Sequence, residues 1–300
     1  MEQLKQFRRL MFVFTFMFAF TLNAVKAYAE SPKSITIGFI PGEKPEDLKE
    51  NGAALAKMLQ DKIGVPVNIY VSKDYSELID AMKTKKVDFA FFSAMTFVFA
   101  EKMAGAKVLL KKVWDGPYYY SAILAAKATK LNQLKGKKFA FVDEKSTSGY
   151  LVPEVYFKKN NIDPKTFFSA TVFSGNHPAS VKMLADGKVD AIAVFSNDPK
   201  GKDTAWNRFP PEKTKMKPHQ IWISEPIPND PFCVRQDFYD ANPRISTDLM
   251  FALRDLDEDK ENGPKFKKLL SVSGLMLATS QQYDSVRELV KELNLKLDGN

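Results

Sequence analysis

Apolar and polar residues alternate from residue 34 to residue 39, a pattern typical of a half-buried strand. Between Pro45 and about Ile63 the apolar residues recur every three to four positions, which predicts an amphipathic helix. A β-branched strand at residues 67–71, a short helix carrying Leu78, Ile79 and Met82, and a strand at residues 87–92 follow. This order of elements predicts a βαβαβ unit.

The same plan recurs later in the chain. Asp88 and Asp190 are 102 residues apart, and so are Tyr75 and His177. We therefore predict an α/β fold of two similar lobes, each a mixed, mostly parallel sheet flanked by helices, with right-handed crossovers and a ligand cleft between the lobes. The predicted elements of the second unit are strands at 138–142, 170–173 and 189–195 and helices at 150–160 and 178–185.

Two further segments link the units. Residues 114–121 run from the first unit to an apolar strand at 122–126, and a proline-rich return covers residues 225–231. Helices near 247–256 and 284–293 come after this return, and we predict that they complete the first lobe. The predicted division is a signal peptide at 1–29, a first lobe of 30–121 plus 225–300, and a second lobe of 122–224.

The first 29 residues are typical of a cleaved export signal. Lys5, Arg8 and Arg9 precede an apolar run at 10–22, and Ala27-Tyr28-Ala29 supplies the small-residue pattern for cleavage after Ala29. That run has about 13 residues, whereas a membrane-spanning helix needs roughly 20. Cys233 is the sole cysteine and is far from the cleavage point, so we expect a freely diffusing periplasmic protein without a lipid anchor or an intramolecular disulfide.

Charge and residue types narrow the function classes. The formal net charge is +8, and removal of the signal leaves about +5, with lysines and acids interspersed along the predicted helices. This distribution favours small anionic ligands weakly and argues against a nucleic-acid surface. The two histidines, His177 and His219, lack metal-ligand spacing, and no nucleotide-binding loop, nucleophile elbow or paired carboxylates occur. We predict a binding protein without catalysis, cofactor or metal.

A run of hydroxyl residues joins the first strand of the second lobe to its helix. It consists of Ser146, Thr147 and Ser148, followed by Gly149. Hydroxyl groups and the free N–H groups of a helix N-terminus can donate to an oxyanion, and glycine permits close approach of the backbone. One helix cap needs a single such residue, so three of them favour a tetrahedral anion as ligand.

Other candidates come from the same geometry. Tyr75 and His177 occupy equivalent loops after the second strand of each lobe, although either could be an ordinary turn residue. Ser93 and Ala94 end the third strand of the first lobe, where they could face the cleft or cap a helix. Asp230 in the proline-rich return could receive a cationic group or hold the turn.

The tyrosine cluster Tyr118-Tyr119-Tyr120 could wall the cleft or pack against the core. We expect one of the three to face the ligand.

Together these residues resemble the phosphonate- and phosphite-binding proteins of ABC importers. The motifs that carry the resemblance are Ser146-Thr147-Ser148-Gly149 with Leu151-Val152-Pro153, Asp74-Tyr75, Tyr119-Tyr120-Ser121, and His177 after Gly175-Asn176. The resemblance spans nearly all of the chain after the signal. It implies a monomer with the type II periplasmic-binding fold and an inner-membrane ABC permease as partner.

The resemblance also implies a ligand and roles for residues. The ligand would be phosphonate, phosphite or a phosphate-like anion, gripped by Ser146, Thr147, Ser148, Tyr75, His177, and either Tyr119 or Tyr120. Members that take an aminophosphonate place a Glu and an Asp near the amine. Asp230 matches the Asp, while Asn197 stands near the Glu position with Asp198 adjacent. The alternatives are a ligand sensor for a signalling system, or a binding protein for another small anion or phosphorylated metabolite.

Overall fold

The computed structural model describes residues 31–41, 45–114, 116–211 and 214–297. The predicted signal peptide lies outside these residues. Within them, the strands are β1 Ile35–Phe39, β2 Val67–Val71, β3 Phe89–Phe91, β4 Ala106–Val113, β5 Tyr118–Ala125, β6 Lys138–Phe141, β7 Ala170–Phe173, β8 Ala191–Ser196, β9 His219–Ile223, β10 Ile227–Pro228, β11 Pro231–Arg235 and β12 Gly274–Leu277.

Helices connect and flank these strands. They are α1 Pro45–Ile63, α2 Tyr75–Lys83, α3 Ala94–Ala104, α4 Val152–Lys159, α5 Pro164–Phe167, α6 His177–Ala185, α7 Ala205–Arg208, α8 Gln236–Ala241, α9 Pro243–Glu258, α10 Gly263–Leu270 and α11 Asp284–Glu292. Short 3-10 turns cover Leu131–Leu134 and Ser280–Tyr283, and a π-helical turn covers Thr147–Leu151. No helix in the described ranges is long and apolar enough to cross a membrane.

The strands form two mixed sheets, as predicted. The first has the order β12-β4-β11-β3-β1-β2, in which β1 is parallel to β2 and β3 and the remaining pairs are antiparallel. The second has the order β10-β5-β8-β6-β7, with β9 also pairing with β5, and β6 is parallel to β7 and β8. Each sheet therefore contains a parallel βαβαβ unit extended by antiparallel strands.

The predicted duplication is visible in equivalent hydrogen bonds. The Thr36 N–H donates to Asp88 Oδ2 at 2.9 Å, and the Lys138 N–H donates to Asp190 Oδ2 at the same distance. Both carboxylates precede the third strand of their unit and hold the start of the first. The 102-residue offset therefore relates residues that make equivalent hydrogen bonds in the two units.

The segments between the sheets differ in one respect from the prediction. Tyr118, Tyr119 and Tyr120 were expected in a linker, but they belong to β5, because they pair with β8 and β10. Sheet membership changes between β4 and β5 and again between β10 and β11. The lobe boundaries at residues 121 and 224 stay predictions.

The two connections are held to each other by hydrogen bonds. The fully buried Asn229 donates from Nδ2 to the Gly116 carbonyl oxygen at 2.8 Å. The Tyr283 hydroxyl donates to the Asn229 carbonyl oxygen, also at 2.8 Å. Asn229 thus joins three parts of the chain. It belongs to the segment that returns from the second sheet to the first, its side chain bonds the segment that leaves the first sheet, and its carbonyl oxygen bonds the 3-10 turn before α11.

The late helices pack on the first sheet. Leu249 and Leu253 of α9 share a buried core with Ile35 and Ile37 of β1. Val286 and Val290 of α11 belong to a second core that includes α2 and α3. Burial of these apolar side chains, each worth about 1.5–3 kcal/mol, fixes the helices to the first lobe.

Candidate functional site

A cavity of about 270 Å³ lies where the two sheets face each other. Residues from the ends of strands and the starts of helices in both lobes line it, as expected for an α/β crevice. Eight predicted site residues are among them: Tyr75, Ser93, Tyr119, Ser146, Thr147, Ser148, His177 and Asp230. The remaining lining residues are Phe39, Ile40, Phe91, Lys112, Trp114, Phe195, Asn197, Arg208, Phe209, Leu269, Leu270 and Ser271.

Three predicted residues do not line the cavity. Ala94 is fully buried at the start of α3. Tyr120 pairs with Ser196 and, because side chains alternate along a strand, points away from the side that Tyr119 occupies. Gly149 packs against Val142 behind the hydroxyl run.

The hydroxyl run is shaped by a tight turn. Ser146 caps it, since its Oγ accepts from the Gly149 N–H at 3.1 Å, and the Val142 N–H donates to the Gly149 carbonyl oxygen at 3.0 Å. A Cβ at position 149 would lie 2.4 Å from Val142 Cγ2, so only glycine allows this approach. The expected cap is present, and Thr147 and Ser148 are left at the cavity.

The same turn contacts the first lobe directly. The Met95 N–H at the start of α3 donates to Thr147 Oγ1 at 2.8 Å. The hydroxyls of Ser93 and Thr96 lie 3.4 and 3.3 Å from the Lys145 carbonyl oxygen. Ser93 also caps α3 by accepting from the Thr96 N–H, so its predicted capping role is present together with its place at the cavity. These bonds hold the lobes together over the cavity.

Tyr75 and His177 occupy matching positions, as the 102-residue offset predicts. Each is the first residue of its helix, α2 or α6, and follows an N-cap, Asp74 or Asn176, that accepts from the N–H three residues on at 2.7 and 2.8 Å. In each lobe an N-cap residue with extended backbone leads into the helix. Tyr75 and His177 therefore occupy equivalent positions in facing lobes. Both side chains are almost fully buried, at 1% and 6% exposure.

His177 is a neutral imidazole in this setting. Burial lowers its pKa to about 3, because the protonated form would lose its hydration. Its ring packs edge-on against Phe195 at 4.9 Å between centroids. Its Nδ1 is buried and has no hydrogen-bond partner among the described residues. His177 is a lining residue of the cavity, so the unused hydrogen-bonding capacity of its Nδ1 is suited to a ligand.

The two cavity-lining tyrosines are neutral donors. Burial raises the pKa of Tyr75, and the charges of Asp143 and Asp230 raise it further. Burial likewise raises the pKa of Tyr119, against hydrogen bonding to Thr147 and Ser148. Both phenols therefore keep their protons.

The carboxyl group of Asp230 has a raised pKa. Burial raises its pKa to about 6, and the nearby charge of Lys112 opposes the shift. The Lys112 N–H also donates to the Asp230 carbonyl oxygen at 2.9 Å. Ionised and protonated forms of Asp230 are thus both accessible near neutral pH.

Sequence reasoning missed an aromatic wall. Phe39 and Phe91 stack with centroids 5.2 Å apart, and Trp114 lies 5.8 Å from Tyr119. The ammonium of Lys112 lies 5.4 Å from the Phe91 ring centroid and 5.9 Å from that of Trp114. These residues come from strands separated along the chain, and alternation alone marks them only as core.

A polar network borders the cavity on the second lobe. Arg208 donates from Nε and Nη2 to the two carboxylate oxygens of Asp203 at 2.7 and 2.5 Å, and Asn197 Nδ2 donates to Asp203 at 3.1 Å. The Asn197 side chain is almost fully buried. In the described part of the chain, no three His, Cys, Asp or Glu side chains are placed to hold a metal ion.

Comparisons with known proteins agree on one family. The family model described as ABC transporter, phosphonate, periplasmic substrate-binding protein matches residues 37–283. The "Phosphonates-binding periplasmic protein" of Escherichia coli is 32% identical over 235 residues, covering 75% of this chain and 68% of the relative. The "Phosphate-import protein PhnD" of Mycolicibacterium smegmatis is 30% identical and covers 79% and 75% of the two chains.

A solved structure shares the fold. PhnD1 of Prochlorococcus marinus, in complex with methylphosphonate, superposes with a TM-score of 0.77 at 21% identity, covering 88% of this chain and 99% of the other. The two-lobed architecture predicted from the sequence is therefore the architecture of these relatives.

Proposed function

Since this chain belongs to the family of periplasmic substrate-binding proteins of phosphonate ABC transporters, we propose that its cavity captures a small phosphorus oxyanion for delivery to an ABC permease. The oxyanion class comprises phosphonate, phosphite and phosphate. The relatives named for phosphonate and for phosphate import support this range.

The proposed grip on the oxyanion uses neutral donors from both lobes. Ser146, Thr147 and Ser148 present hydroxyl and N–H groups from one lobe, and His177 lines the same cavity. Tyr75 donates its phenolic proton from the other lobe. Several converging donors can hold a dianion without a full countercharge.

The observation that carries this proposal is the unpartnered Nδ1 of His177. A buried imidazole nitrogen without a hydrogen bond costs about 1–3 kcal/mol of stability, and a ligand oxygen in the cavity would remove that cost. His177 lines the same cavity as the hydroxyl run, which suits a phosphoryl group with several oxygens.

The protein's other properties follow from this role. The family works in the periplasm, and we propose that the leader ending at Ala29 delivers the protein there as a monomer. We further propose that the ligand is bound without conversion and that nucleic acid is not a partner. Recovery of the ligand unchanged after prolonged incubation tests the absence of turnover.

Calorimetric titration of the purified protein tests the function. Phosphate, phosphite, methylphosphonate and 2-aminoethylphosphonate form the panel, with sulfate as a tetrahedral control. We expect saturable one-to-one binding to at least one phosphorus anion and weaker binding of sulfate. Absence of saturable binding across the phosphorus panel would contradict the proposal.

A further inference from the structure

The cavity is larger than a phosphoryl group requires. Its volume is about 270 Å³, which at ~30 Å³ for each water in the liquid is room for roughly nine waters. A phosphorus atom with three oxygens fills only part of this space. The remainder is available to whatever group the phosphorus carries.

The lining outside the hydroxyl run is mainly apolar. Phe39 and Phe91 come from the first sheet, Phe195 and Phe209 from the second lobe, with the latter two rings 6.3 Å apart and edge-on. Leu270 adds an aliphatic side chain at the end of α10. Such a surface gains free energy when it covers an apolar group and loses it when it desolvates a charge.

The charges in the lining disfavour a cationic group. The aromatic faces of Phe91 and Trp114, which could receive a ligand's ammonium, already lie near the ammonium of Lys112. Asp230 is the one carboxylate among the described lining residues, and Lys112 lies close enough to affect its pKa. Asn197, at the second lobe, is a neutral amide that donates to Asp203.

From size, lining and charge together, we propose that this cavity selects phosphonates whose organic group is uncharged and apolar, over aminophosphonates and inorganic phosphorus anions. The proposal rests on the proposed function, since the hydroxyl run and His177 are taken to hold the phosphoryl end. The walls of Phe195 and Phe209 would cover the organic end.

A matched pair of ligands tests this selectivity. Propylphosphonate and 2-aminoethylphosphonate have the same number of heavy atoms and differ in a terminal methyl against an ammonium. We expect propylphosphonate to bind the protein at least tenfold more tightly in calorimetric titration at pH 7.5. We also expect it to exceed methylphosphonate by on the order of tenfold, from two additional buried methylenes.

Two variants identify the residues responsible. Phe209→Ala should reduce the ratio of propylphosphonate to methylphosphonate affinity about threefold or more, and circular dichroism with thermal unfolding checks that the variant is folded. Phe251→Ala, an exposed phenylalanine of α9, is the matched control and should leave the ratio unchanged. Lys112→Gln should raise 2-aminoethylphosphonate affinity relative to propylphosphonate by about threefold or more.

The outcomes separate this proposal from the function it rests on. Equal affinities for the matched pair, or tighter binding of 2-aminoethylphosphonate or phosphonoacetate than of propylphosphonate, would overturn the selectivity and leave the function intact. Phosphite or phosphate binding more tightly than any phosphonate would do the same. No binding to any phosphorus anion would instead overturn the function.

Discussion

At the scale of single residues, the hydrogen bonding of His177 is incomplete without a ligand. Its imidazole is neutral, buried and unpartnered at Nδ1. We expect His177→Ala to weaken binding of the preferred anion by about 1–3 kcal/mol, because one buried hydrogen bond is lost. Calorimetry measures the change, with the exposed His219→Ala as matched control. Equal affinity in the two variants would show that His177 does not contact the ligand.

Comparison of the parent with His177→Ala also reports on acid stability without ligand. The pKa of His177 lies near 3 in the folded chain against about 6.5 when unfolded, so the unfolded state binds more protons between these values. The contribution of the neutral His177 to the free energy of unfolding is therefore fully present above pH 6.5 and is lost as the pH falls toward 3. Between pH 7 and pH 4.5 the parent should lose on the order of 2 kcal/mol more than His177→Ala in urea unfolding. Parallel pH profiles for the two proteins would contradict this.

At the scale of elements, the turn before α4 depends on the contact between Gly149 and Val142. Gly149→Ala would place a Cβ 2.4 Å from Val142 Cγ2. We expect a loss of about 1–3 kcal/mol in unfolding free energy, as for other overpacked sites, together with weaker ligand binding. Adding Val142→Gly should restore part of the ligand affinity, because it removes both Val142 Cγ2 and the Val142 Cβ that would lie 2.5 Å from the new Cβ. A double variant no better than Gly149→Ala would place the strain elsewhere.

Most elements could be predicted from periodicity. The helix Pro45–Ile63 and the strand Val67–Val71 have the predicted bounds, because amphipathic spacing and β-branched residues reflect burial directly. The π-helical turn Thr147–Leu151 was not predicted, since it arises from packing of Gly149 on Val142. The strand status of Tyr118 likewise depends on partners far along the chain.

The cavity lining was predictable where duplication gave a second copy to compare. Tyr75 and His177 were found because the 102-residue offset aligned them. Lys112 and Phe209 had no such signal, because their place at the cavity depends on how two sheets face each other. That arrangement is a property of tertiary packing, which no local pattern contains.

At the scale of the whole molecule, hydrogen bonds join the two lobes across the cleft. Thr147→Val keeps the side-chain shape but removes the acceptor of the Met95 N–H. We expect the ligand-free variant to have a larger radius of gyration in solution scattering, because one bond across the cleft is lost. Thr171→Val, at an exposed position of β7, is the control and should match the parent. A radius equal to the parent's in Thr147→Val would mean that other contacts maintain closure.

The joint at Asn229 has a mechanical consequence. Because its side chain and carbonyl tie the outgoing segment at Gly116 to the 3-10 turn at Tyr283, neither connection can bend alone. We therefore expect the two connections to act as one hinge, about which the lobes rotate along a single path. A single axis of rotation would give every closure the same relative orientation of the lobes, and so the same surface for a permease to recognise.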